Sequence, residues 1–276
     1  MPFPQTLEAK PKCIFFTDFD GAVHPSRNVG LAIADVRAGT ITLQDSNDWM
    51  TDNLGFGGDL RRQGNKDVLE GKDTFRDSFR AMLDSVKTPF PECIKALCDN
   101  IKLDPSFNDF YKWSRENDVP VIVLSSGMTP IIRALLVYLI GPEGNDIEIV
   151  SNEVADRPPK KMEEEGGWQI QFHDESGFGH DKSMTIRPYA KYFEEHPNEP
   201  RPTMFYAGDG VSDLSAARET DLLFAKKGHD LITYCEREGV PFTVFEDWRS
   251  ILETTKAIFE GKTSVKQLAA ESAKNA

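Results

Sequence analysis

The 276-residue sequence contains no apolar run long enough to cross a membrane, for which about 18 residues are needed. The longest candidate, Ile131 to Ile140, is interrupted by Arg133. The N-terminal residues 1–12 contain no apolar stretch before the first predicted strand, so the sequence predicts no signal peptide. We therefore expect no membrane partner and a cytosolic protein, with the nucleus as the second compartment to consider.

Cysteine is scarce, which argues against a disulfide scaffold. The chain has four cysteines, namely Cys13, Cys93, Cys98 and Cys235. No Cys-x-x-Cys pair occurs, and no histidine lies beside a cysteine pair. Because zinc sites require such spacings, we expect reduced and mostly buried thiols rather than a metal centre built from cysteine.

Cationic residues are outnumbered by acidic ones, with 32 Lys and Arg against 45 Asp and Glu and a net charge of −13. An acidic surface repels nucleic acids and anionic membranes, so neither is an expected partner. A small phosphorylated metabolite needs only a local cationic pocket and stays compatible with this charge.

Four short apolar runs without alternation indicate strands that are buried on both faces. They cover Cys13–Phe16, Val119–Leu124, Met204–Ala207 and Leu222–Ala225. Amphipathic segments follow the last three runs. This order predicts an α/β fold with a parallel sheet and helices on both of its faces.

Two stretches depart from the strand–helix alternation. Residues 44–113 carry helical patterns without a strong strand, such as the amphipathic stretch from Thr74 to Val86. Residues 147–173 hold two alternating segments around a polar tip, which predicts a β-hairpin. Residues 261–276 are polar and are predicted to form a tail.

Polar and acidic residues follow three of the predicted strands directly. Asp18-Phe19-Asp20 follows the first, Ser125-Ser126-Gly127 the second, and Gly208 to Asp213 the third. The carboxyl ends of parallel strands meet at one edge of a sheet, where ligands bind. Converging carboxylates repel one another unless a cation is present, and oxygen ligands without Cys or His favour Mg²⁺ over zinc.

Taken together and in this order, these motifs resemble those of the haloacid dehalogenase-like hydrolase superfamily. Asp18-Phe19-Asp20-Gly21 resembles its first motif and Val121 to Ser125 its second. Lys182 stands where the lysine of the third motif belongs, and Gly208 to Asp213 resembles the fourth. The resemblance implies a Rossmann-like core (1–43 and 114–260) with a small helical cap (44–113), as in phosphoserine phosphatases and the methionine-salvage phosphatase.

The resemblance also implies roles in catalysis. Asp18 would attack phosphorus, and Asp20 would act as general acid and base. The phosphoryl group would be bound by Lys182 together with the segment Ser125, Ser126 and Gly127.

A magnesium site is the remaining implication of the resemblance. Asp209 would hold Mg²⁺ together with Asp18 and the backbone carbonyl of Asp20. Asp213 would either ligate the metal or orient its neighbours. The predicted activity is Mg²⁺-dependent hydrolysis of a small phosphomonoester through a phosphoaspartyl intermediate. The alternative is a catalytically impaired relative that acts as a binding or regulatory module.

The first motif departs from the family pattern Asp-x-Asp-Gly-Thr, because Ala22 follows Gly21. The missing continuation stands later, at Gly39-Thr40-Ile41-Thr42. Removal of residues 22–39 would restore Asp-Phe-Asp-Gly-Thr-Ile-Thr. One hypothesis is a translated intron at 22–39, and the alternative is a genuine loop insertion.

The predicted cap gives less information about the substrate. Aligning Phe75 with the corresponding phenylalanine of phosphoserine phosphatases places Met82 where those enzymes carry an arginine, which argues against phosphoserine. Asp45, Asn47 and Asp48 could face a ligand or cap the next helix, and capping is the favoured interpretation.

Overall fold

The computed structural model describes residues 5–20 and 39–268. The predicted insertion at 22–39 lies outside the described residues except for Gly39, and so does the part of the predicted tail from residue 269 onward. None of the helices in the described ranges is both long and apolar enough to cross a bilayer.

The described residues form a mixed α/β fold. The strands are β1 (Cys13–Thr17), β2 (Val121–Met128), β3 (Glu148–Asp156), β4 (Trp168–Gln171), β5 (Thr203–Gly208), β6 (Leu222–Lys226) and β7 (Thr243–Phe245). The α-helices are α1 (Ser46–Leu54), α2 (Gly58–Leu69), α3 (Phe75–Asp84), α4 (Phe90–Asn100), α5 (Phe107–Glu116), α6 (Thr129–Ile140), α7 (Lys182–Glu195), α8 (Leu214–Ala217), α9 (Asp230–Glu238) and α10 (Trp248–Phe259).

The chain divides into two compact units, of which the first comprises residues 1–18, 104–124 and 181–276. Its strands pair in parallel in the order β2-β1-β5-β6-β7. Strands β1 and β6 are buried along their whole length, as their continuous apolar runs predict. Aromatic rings fill the core, where Phe15 lies 4.7 Å from Phe110 and 5.6 Å from Trp248 between ring centroids. The predicted parallel α/β fold is confirmed.

The second unit comprises residues 19–103 and 125–180. It holds helices α1–α4 and α6 and the antiparallel pair β3–β4, which is the predicted hairpin. Helix α3 has the predicted amphipathic pattern, with Phe79, Met82 and Leu83 buried. Thr74 caps its N-terminus by accepting a hydrogen bond from the Asp77 backbone N–H, which satisfies one of the amide groups that lack a partner within the helix.

The assignment of residues 44–113 to one helical cap stays a prediction. Helices α1–α4 belong to the second unit, whereas α5 lies in the first unit and packs against α10. In the described part of the chain, no strand lies between helices α1–α4 and helix α5, so the sequence pattern does not separate α5 from the other four.

Candidate active site

Three buried carboxylates lie at the carboxyl ends of β1 and β5 in the first unit. Asp18 follows β1, and its backbone N–H donates to the Ala207 carbonyl at 2.8 Å. Asp209 and Asp213 follow β5. One oxygen from each carboxylate lies within 4.8 Å of the others. The parallel pairing of β1 with β5 produces this convergence, because the carboxyl ends of both strands point the same way.

Lys182, the first residue of α7, supplies a buried positive charge to this cluster. Its side chain is fully buried, and Nζ lies 3.1 Å from Asp18 Oδ1 and 2.5 Å from Asp213 Oδ1. Burial alone would lower the pKa of Lys182, but the charges of Asp18 and Asp213 outweigh it and raise that pKa. Lys182 is therefore held in its protonated form beside the carboxylates.

Asp213 accepts four hydrogen bonds, two on each oxygen. Oδ1 accepts from Lys182 Nζ and from the Tyr206 hydroxyl, both at 2.5 Å. Oδ2 accepts from the backbone N–H of Asp209 at 2.9 Å and of Gly210 at 3.0 Å. An ionised carboxylate has about four acceptor positions, so these contacts favour the orienting role for Asp213 over direct metal ligation.

Tyr206 is a site residue that the sequence analysis missed. It is a fully buried tyrosine within β5, and burial followed by the charge of Asp213 raises its pKa well above the usual value. It therefore remains a hydroxyl donor. Its sequence signal was a lone polar aromatic within an otherwise apolar strand, three residues before Asp209.

Asp209 is fixed from its backbone as well as from its side chain. Its carbonyl accepts from the Leu231 N–H at 2.9 Å, and His229 Nδ1 lies 3.4 Å from Oδ2. His229 was also missed from the sequence. The acidic centre offers buried carboxylate oxygens from Asp18 and Asp209, a donor set that suits a hard cation such as Mg²⁺.

Asp20 belongs to the second unit, where its carboxylate accepts four hydrogen bonds. Thr42 Oγ1 and the Ser46 N–H donate to Oδ1 at 3.1 and 3.0 Å. Ser46 Oγ and Asn47 Nδ2 donate to Oδ2 at 2.5 and 3.1 Å. The sequence analysis assigned no such contact to Ser46 or Asn47. The backbone next to Asp20 is also held, because the Phe19 carbonyl accepts from Ile41 N–H at 2.9 Å and the Asp20 carbonyl from Thr40 N–H at 3.3 Å.

Asp45 caps helix α1, as the sequence predicted, by accepting from the Asp48 N–H at 2.8 Å. Asp48 in turn lies 2.8 Å from the buried Arg61 guanidinium. Burial, and then the charges of Asp48 and Asp20, raise the pKa of Asp45 well above its usual value. This carboxyl therefore retains its proton more tightly in the folded chain than in the unfolded one.

The segment Ser125–Gly127 lies near the carboxyl end of strand β2 and belongs to the second unit. Ser125 Oγ accepts from the Gly127 N–H at 3.0 Å. A Cβ atom on Gly127 would lie 3.3 Å from Ser125 Oγ and 3.4 Å from Asn47 Nδ2. A side chain at position 127 would therefore push against Ser125 Oγ, which would have to shift by a few tenths of an ångström.

Comparisons with known proteins identify the family of this chain. The model of the haloacid dehalogenase-like hydrolases matches residues 15–218. A polyol phosphate phosphatase of Saccharomyces cerevisiae is 48% identical over 260 residues, covering 93% of this chain and 98% of the relative. Pdp3-interacting factor 1 of Schizosaccharomyces pombe is 52% identical over 254 residues, covering 92% and 99%.

Solved structures show the same fold. A phosphoserine phosphatase carrying an analogue of the phospho-aspartyl intermediate superposes with a TM-score of 0.57 at 16% identity, covering 88% of this chain and 99% of the other. The resemblance seen in the motifs is thus confirmed. The chain belongs to the haloacid dehalogenase-like hydrolase family and is a phosphoric monoester hydrolase.

Proposed function

We propose that this protein hydrolyses a small phosphomonoester, with Mg²⁺ as cofactor, through a phosphoaspartyl intermediate on Asp18. The observation that carries the proposal is the contact between Asp18 and the buried ammonium group of Lys182, 3.1 Å apart. A fixed positive charge beside a carboxylate suits phosphoryl transfer, in which positioning and charge neutralisation supply most of the catalysis.

Asp18 is the best-placed nucleophile among the three carboxylates of the first unit. It is 8% exposed, whereas Asp209 and Asp213 are fully buried. Asp213 is also occupied by its four hydrogen bonds. In the first step, an Asp18 oxygen bonds to phosphorus as the bond between phosphorus and the ester oxygen breaks. In the second step, water attacks phosphorus and the bond to Asp18 breaks, which releases phosphate.

Asp20 carries the proton in both steps. It donates a proton to the leaving alkoxide oxygen in the first step and accepts one from the attacking water in the second. The four hydrogen bonds from Thr42, Ser46 and Asn47 orient its carboxylate, and because they occupy all four acceptor positions, one of these donors must turn away when Asp20 takes up its proton. Ser125 and Ser126 would donate hydrogen bonds to the phosphoryl oxygens, Gly127 would orient the Ser125 hydroxyl through its N–H, and Lys182 would offset the phosphoryl charge.

The residues of the acidic centre fit the magnesium ion that the family implies. Asp18 and Asp209 would hold it together with the backbone carbonyl of Asp20, and Asp213 would orient its neighbours. When bound, Mg²⁺ would neutralise part of the negative charge on the phosphoryl group and the carboxylates.

The substrate class that we propose is a phosphorylated polyol. The support is the name of the yeast relative, a polyol phosphate phosphatase, to which this chain is 48% identical over nearly its whole length. The alternative is a binding or regulatory module, for which the name of the fission-yeast relative offers a precedent. Intact contacts among Asp18, Lys182 and Asp213 support catalysis instead.

The test combines a substrate panel with two isosteric variants. We expect polyol phosphates to be hydrolysed faster than phosphoserine, and an excess of chelator to abolish the activity until Mg²⁺ is added back. Asp18→Asn should prevent covalent labelling by an activated acyl-phosphate donor, whereas Asp20→Asn should keep part of it, since good leaving groups need little protonation. Equal labelling of both variants would show that Asp18 is not the nucleophile.

A further inference from the structure

Two buried side chains from distant parts of the sequence hold the backbone of the segment Ser125–Gly127. His180 Nδ1 lies 2.9 Å from the Ser125 carbonyl oxygen, and Asn152 Nδ2 donates to the Ser126 carbonyl at 2.6 Å. Both side chains are fully buried. Because a carbonyl only accepts, the contact requires the proton of His180 to be on Nδ1.

Holding these carbonyls also aims the amides that follow them, because a trans peptide bond is planar and its N–H points opposite its C=O. The contact from His180 therefore sets the direction of the Ser126 N–H. The contact from Asn152 sets that of the Gly127 N–H, which donates to Ser125 Oγ at 3.0 Å. With an acceptor position of Ser125 Oγ used in this way, its hydroxyl proton remains to be donated to a phosphoryl oxygen.

The two side chains form one connected unit. The His173 backbone N–H donates to Asn152 Oδ1 at 2.8 Å, and the His173 ring lies 4.6 Å from the His180 ring between centroids. Helix α3 anchors the stretch of chain that carries His173 and His180, because Arg76 Nη1 donates to the Asp174 carbonyl at 2.7 Å. The guanidinium group of Arg76 also lies 4.6 Å from the centroid of the Phe172 ring.

We propose that His180 and Asn152 are positioning residues for phosphoryl binding, which aim the donors of Ser125–Gly127 by holding the carbonyls of Ser125 and Ser126. The inference rests on the proposed function, since it assumes that this segment binds the phosphoryl group. The positioning role of His180 and Asn152 involves other atoms than those of the acidic centre, so this inference and the proposed function can be tested separately.

The experiment replaces His180 in three ways within the full chain. Asparagine places its amide nitrogen where Nδ1 of histidine lies, glutamine places it near Nε2, and leucine provides no donor. We expect His180→Leu and His180→Gln to lose about 10- to 100-fold in kcat/KM, as is typical when reacting groups are misplaced. His180→Asn should stay within about threefold of the unchanged chain. The affinity for inorganic phosphate, measured by calorimetry with Mg²⁺, should follow the same order.

The matched control is His196→Leu. His196 Nδ1 makes the same kind of contact, 2.8 Å from the Tyr192 carbonyl, but at the exposed end of α7. Its loss should leave kcat/KM and phosphate affinity unchanged. Thermal melting of each variant separates misfolding from misplacement. If His180→Leu does not fold, the pair of Asn and Gln variants decides, and equal activity in these two would overturn the inference.

Phosphate binding distinguishes failure of the inference from failure of the proposed function. If the unchanged chain binds phosphate but hydrolyses no ester, the proposed function fails, and the order of phosphate affinities still decides the role of His180. If folded His180→Leu binds phosphate as tightly as the unchanged chain, the inference is wrong even when the phosphatase is active. If the unchanged chain binds no phosphate, both are overturned.

Discussion

Replacing Lys182 with methionine tests the electrostatic balance of the acidic centre. Methionine keeps an unbranched apolar side chain but removes the charge that lies 2.5 Å from Asp213 and 3.1 Å from Asp18. Three buried carboxylates within 4.8 Å of one another would then lack their cation. Removing one partner of a buried ion pair costs about 3–5 kcal/mol, which is more than is regained by no longer burying the lysine.

We therefore expect the free energy of unfolding of Lys182→Met to be about 3–5 kcal/mol lower than that of the unchanged chain in the presence of a chelator. Urea denaturation followed by fluorescence measures this difference. Adding Mg²⁺ should stabilise the variant more than the unchanged chain, because the cation would then offset charges that Lys182 no longer offsets. Phosphatase activity should be abolished in both conditions.

Lys227→Met is the control for this experiment. Lys227 pairs with Glu246 at the surface, so its replacement should change the free energy of unfolding by less than about 1 kcal/mol. The reasoning fails if Lys182→Met unfolds within about 1 kcal/mol of the unchanged chain in chelator. It fails equally if Mg²⁺ stabilises both proteins to the same extent.

Three further predictions concern the helix cap, the thiols and the interrupted motif. A carboxyl with a raised pKa stabilises the folded chain only while it is protonated, so this stability is lost as the pH rises through its folded-state pKa. Asp45→Asn keeps a capping side chain that does not ionise. Melting curves should therefore show this variant to be more stable than the unchanged chain at pH 8, with a smaller difference in melting temperature at pH 4. A difference in melting temperature that does not change with pH would contradict the prediction. Burial raises the pKa of Cys13 and of Cys235 to about 11 and that of Cys93 to about 12. A chromogenic disulfide reagent at pH 8 should therefore modify the partly exposed Cys98 first. Rapid reaction of all four thiols in the folded chain would refute the burial argument. Deletion of residues 22–39 should leave kcat/KM within a few-fold of that of the unchanged chain. It should raise the free energy of unfolding by at most about 2–3 kcal/mol, because loop-closure entropy grows slowly with loop length. Loss of activity in the folded deletion variant would show that the segment has a role.

The parallel sheet of the first unit could be predicted from the sequence because its strands are buried on both faces. A continuous apolar run such as Cys13–Phe16 is typical of a buried strand, and its short length argues against a buried helix. The same reasoning predicted the position of the acidic centre, since Asp18 and Asp209 each follow such a run directly. In both cases the signal is local, and the fold places the local signals side by side.

The contacts that orient the candidate site residues could not be predicted, because their partners are far apart in the chain. Asn152 lies 26 residues from Ser126, and His180 lies 55 residues from Ser125. No periodicity connects such residues, and a lone buried histidine or asparagine carries no pattern of its own. The helical stretch 44–113 was harder for a similar reason, because nothing local distinguishes α5 of the first unit from the helices of the second.

The interrupted first motif combines a local sequence signal with contacts between residues that are distant in the chain. The family pattern places a threonine two residues after the second aspartate, whereas here Thr40 lies 20 positions after Asp20. In the structure the Thr40 N–H nevertheless lies 3.3 Å from the Asp20 carbonyl oxygen, a distance that a single residue such as Gly21 can bridge. Thr42 Oγ1 reaches the Asp20 carboxylate at 3.1 Å. The atoms that hold Asp20, the proposed general acid, are thus adjacent in space although they are distant in sequence. An interruption that preserves these contacts gives no physical reason for lost catalysis, and it therefore weakens the argument for an impaired binding module more than the argument for a phosphatase.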